Sequence, residues 1–379
     1  MPEENSLLPA RSDRGTAVAL PLEIAEQADV AASAHLFDDY RARRATRTIA
    51  TQRAALQLWV TFLDKIGAAG GLLASATAWA EARDTRPFQE YAEAQGVSLP
   101  IVYAASYCQH APAAWAGVSW GVVDGFVKWL LNQGYSIASV NNRLAAVRVY
   151  VKLAAKAGVI SLEEKVRIMD VGGYGVTEGK RIDAQRPKQR VGHKKEDAIV
   201  LTEEQARRLK SNHQNTPQGI RDRLLVCLLL DLGIRASEAA GLNCDDVDMT
   251  AGTIRVYRIK TDTTDMMAMT SDITLALAAY RPYMRRGQPL LRSSLKNGKL
   301  ANRGLTPRAI GYIVKELGAT VVDEWELSPH DLRHTWATHA AKETSPFVLR
   351  DAGGWSNMQT PSRYVEKGEI VNKDVKLRY

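Results

Sequence analysis

Five side chains in the second half of this 379-residue sequence are together suited to phosphoryl transfer: Arg235, Lys260, His330, Arg333 and Tyr364. A tyrosine phenol is a poor nucleophile at neutral pH, because its pKa is about 10. A nucleophilic tyrosine therefore needs cationic groups that stabilise charge on the phosphorus oxygens. The residues that precede Tyr364 supply such groups, so the set predicts attack of a phenol on a phosphodiester.

The segment Ser328-Pro-His-Asp-Leu-Arg-His-Thr places His330, Arg333 and His334 on one face of a predicted helix. An arginine and a histidine near a helix N-terminus can clamp a phosphate. The two histidines also have the spacing of a zinc-binding helix, but the glutamate of His-Glu-x-x-His is missing and Arg333 would lie beside the metal. We therefore predict no metal site. Taken alone, the motif would rather indicate that His330 and Arg333 merely cap and solvate the helix.

A second motif, Gly233-Ile-Arg-Ala-Ser-Glu, puts Arg235 directly after a glycine and Glu238 about one helical turn later. Such a pair on a helix surface is common and contributes only about 0.2–0.5 kcal/mol. Its interest comes from its position in the order of motifs along the chain, not from the pair itself.

Composition favours a polyanionic partner without identifying it. The chain has 50 Lys+Arg against 42 Asp+Glu, a net charge of +8. Its three cysteines are scattered, so their spacing supports neither a disulfide framework nor a zinc knuckle. The N-terminus lacks the pattern of a signal peptide, and no segment approaches the run of about 20 apolar residues that spans a bilayer. The sequence therefore predicts a soluble cytoplasmic protein.

The chain is long enough for two domains, and its patterns predict a mostly α fold with one small antiparallel β-sheet. We divide it into a loosely ordered arm (1–38), a helical domain (39–178), a basic linker (179–195) and a mixed domain (196–379). Two helices close the helical domain, at Ser119–Gly134 and Ser139–Gly158. Basic and amide side chains in the helical domain and in the linker are candidates for phosphate contact: Arg41, Arg44, Asn141, Arg143, Arg148, Lys152, Lys188 and Arg190.

In the mixed domain, Thr202 and Gln205 form a predicted capping box. Residues 253–259 and 266–269 predict a hairpin with Lys260 near its turn. Hydroxyl residues followed by proline predict the starts of four further helices: Thr306-Pro307, Ser328-Pro329, Ser345-Pro346 and Thr360-Pro361.

The order of these motifs resembles the tyrosine recombinase family, also called phage integrases. It runs Gly-x-Arg-x-x-Glu, a lysine on a hairpin, His-x-x-Arg, then Gly-Gly-Trp with a tyrosine nine residues on. Each motif is weak alone, but their joint order and spacing over residues 200 to 370 are specific. Segments 45–53 and 139–148 look like the first and last helices of that family's core-binding domain.

The resemblance implies a two-domain C-shaped clamp around DNA, with a SAM-like helical core-binding domain and an α+β catalytic domain. Arg235 and Arg333 would hold the scissile phosphate, and Glu238 would orient neighbouring side chains. Lys260 would protonate the leaving 5′ oxygen, and His330 would assist as acid or base near the nucleophile. Two residues depart from the common pattern: Trp355 stands where most members have histidine, as in Cre-like recombinases, and Gly353 stands where leucine is usual.

The implied function is site-specific DNA recombination through a 3′-phosphotyrosyl intermediate at Tyr364, with neither ATP nor metal. The implied partners are double-stranded recombination sites, a homo-tetramer on two sites and accessory proteins, with the protein associated with the nucleoid. Two alternatives are a type IB topoisomerase and an inactive DNA-binding protein on the same fold. A zinc hydrolase is a third, more remote one.

Overall fold

The computed structural model describes residues 22–185, 198–295, 297–322 and 327–364. The chain divides into two compact units, Met1–Lys194 and Lys195–Tyr379. The division falls within the segment predicted as a linker. The described part is mostly helical with two small antiparallel sheets, which confirms the predicted fold class.

The described part of the first unit is helical, because its apolar residues recur at helical spacing and converge on one core. Its helices are α1 (Leu22–Ala42), α2 (Thr46–Lys65), α3 (Gly70–Glu81), α4 (Arg86–Gln95), α5 (Leu99–His110), α6 (Trp120–Asn132), α7 (Ile137–Lys156), α8 (Leu162–Asp170) and α9 (Val176–Gln185).

Aromatic rings hold α2 and α7 in the first unit together. The Trp115 ring stacks on Trp59 of α2 and on Tyr150 of α7, with centroid distances of 6.2 and 5.9 Å. The Tyr150 hydroxyl donates to Gln52 Oε1 at 3.0 Å and accepts from Gln109 Nε2 at 2.9 Å. Buried polar groups are thus satisfied across three helices, and this fixes the relative position of α2 and α7.

Three boundaries in the first unit differ from the prediction. The region predicted as a loosely ordered arm contains α1, which is anchored by Phe37, 2% exposed and 6.0 Å from the Tyr150 ring. Helix α7 begins at Ile137 rather than Ser139, because the Ser136 side chain accepts a hydrogen bond from Ser139 N and caps the helix there. The predicted linker likewise begins inside helix α9.

The described part of the second unit combines helices with short strands. The helices are α10 (Glu203–Ser211), α11 (Pro217–Asp231), α12 (Ala236–Gly241), α13 (Ser271–Tyr280), α14 (Pro307–Gly318), α15 (Pro329–Glu343) and α16 (Pro346–Gly353). The strands are β1 (Val247–Asp248), β2 (Thr253–Arg258), β3 (Thr263–Ala268), β4 (Arg292–Ser294) and β5 (Leu300–Gly304).

Strands β1, β2 and β3 form an antiparallel sheet in that order, and β4 pairs with β5. The β2–β3 hairpin was predicted, but β3 begins at Thr263 instead of Met266, with Arg258 opposite Thr263. The turn is therefore short, and Asp262 takes a left-handed conformation with φ 54°. The β4–β5 pair was not predicted, because strands of three and five residues carry too little alternation to recognise.

The predicted helix starts are confirmed at Thr202, Thr306, Ser328 and Ser345, whose side chains accept a backbone hydrogen bond from the third residue on. The fourth Thr/Ser-Pro start differs, since Pro361–Arg363 form only a single 3-10 turn. Thr360 itself has helical dihedrals, whereas a capping residue needs an extended backbone.

Among the helices that the structure describes, none has the length and apolar character that a membrane crossing requires.

Candidate active site

The break between α11 and α12 positions Arg235. Gly233 adopts a left-handed conformation with φ +58°, and a Cβ there would collide with the Trp336 ring. The chain turns at this point, so Arg235 stands at the start of α12. Its backbone N donates to Glu238 Oε2 at 2.8 Å, and its Nη1 donates to Glu238 Oε1 at 2.7 Å. The Glu238 side chain is 1% exposed, so its carboxylate is a buried anchor for Arg235, and this is not the surface pair that spacing alone would allow.

Arg258, at the end of β2, extends this anchor through the second unit. Its side chain is fully buried and reaches three elements. Nη1 donates to Glu238 Oε2 at 2.8 Å, Nε to Asp265 Oδ2 at 2.9 Å and Nη2 to the carbonyl of Ala352 at 2.8 Å. One guanidinium thus links α12, the β2–β3 hairpin and the end of α16. The sequence analysis assigned no role to Arg258.

The charge state of Glu238 follows from these contacts. Burial alone would raise the pKa of this carboxyl, but the hydrogen bonds from Arg235 and the charge of Arg258 outweigh burial and lower the pKa. Glu238 therefore remains a carboxylate at neutral pH and keeps both arginines oriented.

Replacing Arg258 should be costly for stability. We expect Arg258→Met to lower the free energy of unfolding by about 3–5 kcal/mol, because it leaves Glu238 buried with one charge partner fewer. The measurement is urea unfolding of the full chain. The control is Arg255→Met on the same strand, whose side chain is 54% exposed and pairs with Asp246; its cost should stay below about 1 kcal/mol. Equal losses for the two variants would contradict the assigned role.

Arg333 reaches the same region from α15. Asp331 and Ser328 form a capping box at the start of this helix, and Arg333 projects from its first turns into the interior, 3% exposed. Nη1 donates to the Gly233 carbonyl at 2.6 Å, and Nη2 donates to the Gly353 carbonyl at 2.5 Å. Burial, followed by the nearby charge of Arg235, lowers the pKa of Arg333 to about 10. The guanidinium therefore stays protonated at neutral pH.

The Gly-Gly-Trp turn after α16 explains both departures from the family pattern. Gly354 is left-handed, with φ +59°, and a Cβ there would lie 3.0 Å from Arg258 Nε. The Trp355 ring folds back so closely that a Cβ on residue 353 would collide with it. Leucine at 353 is thus incompatible with this placement of the indole, and the Gly353 and Trp355 departures are linked sterically.

Trp355 lies between a cation and the candidate nucleophile. Its ring is 4.6 Å from Arg333 Cζ, and it stacks on the Tyr364 ring at 5.9 Å between centroids. The Trp336 ring supports it from another direction, at 6.1 Å. Tyr364 is held by the 3-10 turn that precedes it, and its backbone N donates to the Pro361 carbonyl at 3.0 Å.

The Tyr364 hydroxyl contacts His334, which the sequence placed on the same helix face as His330 but did not predict as a site residue. Tyr364 Oη and His334 Nδ1 lie 3.0 Å apart, and His334 Nε2 lies 3.1 Å from His330 Nε2. His330 thus approaches the phenol through His334. The spacing of four residues between the histidines is the only sequence signal that could have indicated this pair.

Burial controls the ionisation of both groups that meet at the phenol. It raises the pKa of Tyr364, and the charges of Arg333 and Arg363 oppose the rise. Burial and the adjacent His330 lower the pKa of His334. The phenol is therefore protonated and the imidazole of His334 is neutral at neutral pH. In this state the phenol has a proton to give and the imidazole can accept one.

Lys260 lies in the exposed turn between β2 and β3. Among the described residues, no recorded hydrogen bond or ion pair joins it to the cluster around Tyr364. The turn is fixed by the Tyr257 hydroxyl, which donates to Asp262 Oδ1 at 2.6 Å. The structure therefore brings together Arg235, Glu238, Arg333, Trp355 and Tyr364, reaches His330 through His334, and leaves Lys260 on the adjoining hairpin.

Residues 199–369, which contain all seven candidates of this site, match the phage integrase family. This part of the chain belongs to the phage integrase family of tyrosine recombinases. Curated relatives are tyrosine recombinases as well. XerC from Halalkalibacterium halodurans is 26% identical over 301 residues, covering 77% of this chain and 87% of the relative. XerD from Listeria monocytogenes is 24% identical over 258 residues, covering 67% and 80%. The protein is therefore a site-specific DNA recombinase, an enzyme that breaks and rejoins DNA strands.

Solved structures share the fold of this recombinase. The integrase of transposon Tn1549, in complex with transposon right end DNA, has a TM-score of 0.51 at 15% identity, covering 83% of this chain and 96% of that one. The XerH site-specific recombinase, bound to its difH substrate, has a TM-score of 0.50 at 16% identity, covering 83% and 93%. At these identities the likeness concerns the fold alone.

Four residues of the recombinase's first unit that were predicted to contact phosphate differ in exposure and in neighbours. Arg44 is exposed, with its guanidinium 5.1 Å from the Tyr40 ring. Arg41 pairs with Asp38 at 2.8 Å. Lys152 is exposed on α7. Arg143 is partly buried over the Tyr135 ring at 4.3 Å, and burial lowers its pKa.

Asn141 and Arg148 of the recombinase hold the segment after α8. Asn141 Nδ2 donates to the Tyr174 carbonyl at 2.8 Å, and its Oδ1 accepts from Tyr174 N at 3.0 Å. Arg148 Nη2 donates to the carbonyls of Met169 and Val171. The recorded bonds of these two side chains thus support the local fold. Lys188 and Arg190 lie outside the described residues.

No group of three or more metal-ligating side chains is found within the described ranges, so His330 and His334 have no additional ligands there for a zinc site.

Proposed function

We propose that Tyr364 is the nucleophile of this recombinase, attacking a DNA phosphodiester to form a 3′-phosphotyrosyl link. The observation that carries the proposal is the surroundings of its hydroxyl, which is 3.0 Å from His334 Nδ1 on a ring that stacks against Trp355, itself 4.6 Å from Arg333 Cζ. A weak nucleophile is here adjacent to a base and to the charge that its reaction requires. The other described tyrosines do not share these neighbours.

Arg235 and Arg333 would hold the two non-bridging oxygens of the scissile phosphate. Arg333 has five N–H donors, and two recorded bonds to the Gly233 and Gly353 carbonyls leave capacity for an anion. The Arg235 side chain is 26% exposed, and Glu238 fixes it from behind. Charge held in place before the reaction stabilises the transition state without reorganisation.

Lys260 would protonate the departing 5′ oxygen, and its exposed hairpin turn gives it access to a bound strand. Trp355 would support the phenol by stacking and offer its indole N–H as a donor. His330 would act as acid or base near the nucleophile. The free 5′ hydroxyl of a partner strand would then attack the phosphotyrosine, so the energy of the bond is conserved and no ATP, metal or other cofactor is consumed.

Both units would contact DNA. The proposed domains are an arm (1–38), a core-binding domain (39–178), a linker (179–195) and a catalytic domain (196–379). The DNA complexes of the Tn1549 integrase and of XerH support a double-stranded recombination site as the substrate. Exposed basic groups such as Arg44 and Lys152, with Lys188 and Arg190 in the linker, would contact phosphates. We further propose that the protein acts as a homo-tetramer on two sites, with accessory proteins, and that it associates with the nucleoid. The DNA it acts on would belong to a mobile element that is integrated, excised, resolved or transposed.

A nicked suicide substrate tests the proposal. The full-length protein is incubated with duplexes that carry a nick next to candidate cleavage positions, and the trapped adduct is digested and mapped by mass spectrometry. We expect one DNA-linked peptide, joined through the Tyr364 oxygen to a 3′ phosphate. An adduct at another residue, or at a 5′ phosphate, would refute the assignment. Relaxation of supercoiled plasmid by a monomer, without strand exchange, would instead favour the topoisomerase alternative.

A further inference from the structure

The phenol of Tyr364 is joined to solvent by a chain of two imidazoles. Its first member, His334, lies within hydrogen-bond distance of the Tyr364 hydroxyl through Nδ1. Its second member, His330, meets His334 through the Nε2 atoms, at 3.1 Å and with the rings nearly perpendicular, at 89°. His330 is exposed whereas His334 is partly buried, so the chain leads outward from the phenol.

We propose that His334 is a catalytic residue, the direct proton acceptor for Tyr364, and that His330 is the second member of a proton relay. This inference rests on the proposed role of Tyr364 as nucleophile. It assigns to His334 a function that neither the order of motifs nor the His-x-x-Arg pair assigns.

The tautomer of His334 determines how the proposed relay starts. A neutral imidazole has one N–H donor and one acceptor nitrogen. When His334 carries its proton on Nε2, that N–H donates to His330 Nε2, and His334 Nδ1 is left to accept from the Tyr364 hydroxyl. The contact with His330 thus accommodates the tautomer in which His334 can act as the base.

The proton and the electron pairs balance along this path. As the Tyr364 Oη–P bond forms, the Oη–H bond breaks and the proton moves to His334 Nδ1. The resulting imidazolium passes its Nε2 proton to His330 Nε2, and the exposed ring of His330 exchanges protons with solvent. The P–O5′ bond breaks, and its electron pair leaves with the 5′ oxygen, which takes a separate proton from the acid on the hairpin. When the 5′ hydroxyl attacks, the relay runs in reverse and returns a proton to the phenol.

Asparagine is the informative replacement at 334, because its side-chain amide occupies the region of Nδ1 and can accept a hydrogen bond but not a proton. We expect His334→Asn to slow adduct formation on the suicide substrate by about 100-fold, at the low end for loss of a general base. His330→Asn should cause a smaller loss, since it removes only the second member. The matched control, His339→Asn, lies on the same helix α15 outside the cluster and should react at the wild-type rate.

A more acidic phenol separates a base from a merely structural residue. With 3,5-difluorotyrosine incorporated at position 364 of the full chain, the nucleophile ionises more readily and needs less help from a base. In that background the loss caused by His334→Asn should shrink to less than about tenfold, the coupling expected of two groups that share one proton. DNA affinity, measured by mobility shift, should be equal in all variants.

An equal loss in both backgrounds would show that His334 only packs against the tyrosine, and the relay would be wrong. A larger loss for His330→Asn than for His334→Asn would also overturn it, because it would make His330 the direct base. Failure of the underlying proposal has a different signature: an adduct that still forms in Tyr364→Phe refutes the nucleophile, whatever His334 does.

Discussion

Tyr364→Phe is expected to abolish the covalent protein–DNA adduct while DNA binding is retained. Phenylalanine preserves the ring that stacks on Trp355 and removes only the hydroxyl that faces His334. The fold around α15 and α16 should therefore persist. An enzyme that loses its nucleophile loses at least about 10⁴-fold in rate, so adduct formation should fall below detection.

The measurement is the yield of adduct on a denaturing gel, with DNA affinity followed by mobility shift on the same duplex. Tyr312→Phe is the matched control, since this tyrosine is 56% exposed on α14 and lies outside the cluster. It should react at the wild-type rate. An adduct of normal yield in Tyr364→Phe would contradict the proposed mechanism, and a simultaneous loss of DNA affinity would mean that the substitution acts through binding.

Local signals predicted much of the second unit, because they depend on few neighbours. A hydroxyl that caps a helix needs only the three residues after it. Such caps are present at Thr202, Thr306, Ser328 and Ser345. The site motifs were recognisable for the related reason that each is short and their order is specific. Thr360 shows the limit of such signals, since its residue type fits a cap but its backbone does not.

Contacts between distant segments were not predictable from spacing. Which imidazole faces the phenol depends on how residues 353–364 fold back onto α15, and spacing on α15 alone could not rank His330 against His334. The buried role of Arg258 depends on Glu238, 20 residues earlier, and on the Ala352 carbonyl, 94 residues later. Each such contact requires the tertiary fold, which sequence patterns within one element do not contain.

The close packing within the Gly-Gly-Trp turn was likewise not predictable from spacing. Read singly, Gly353 and Trp355 are two deviations from a pattern. In the folded chain the indole occupies the space that a side chain at 353 would need. A substitution at one position therefore changes what the other tolerates, and the two should be exchanged together when this site is altered.

Arg333→Lys is the second change with a large expected effect. Lysine retains the positive charge, so a loss of activity would measure geometry and not charge alone. The guanidinium spans the Gly233 and Gly353 carbonyls through two different nitrogens and still offers donors to a phosphate. A single ammonium group cannot reproduce this planar fork. We expect adduct formation to slow by about 10²–10³-fold, the scale for removing one preorganised donor of this kind.

Arg350→Lys on α16 is the control, because its side chain is 35% exposed and pairs with Asp351 at the surface; it should react normally. Thermal unfolding of both variants distinguishes loss of the fold from loss of chemistry, and adduct rates are compared where both remain folded. A loss of less than about tenfold in Arg333→Lys would show that charge suffices. The expected larger loss would mean that Arg333 acts through its shape: it fixes the turns at Gly233 and Gly353 and, through them, the distance between the phosphate and the tyrosine. Those two turns carry Arg235 and Trp355, so one buried guanidinium would set the geometry of two further groups near the nucleophile.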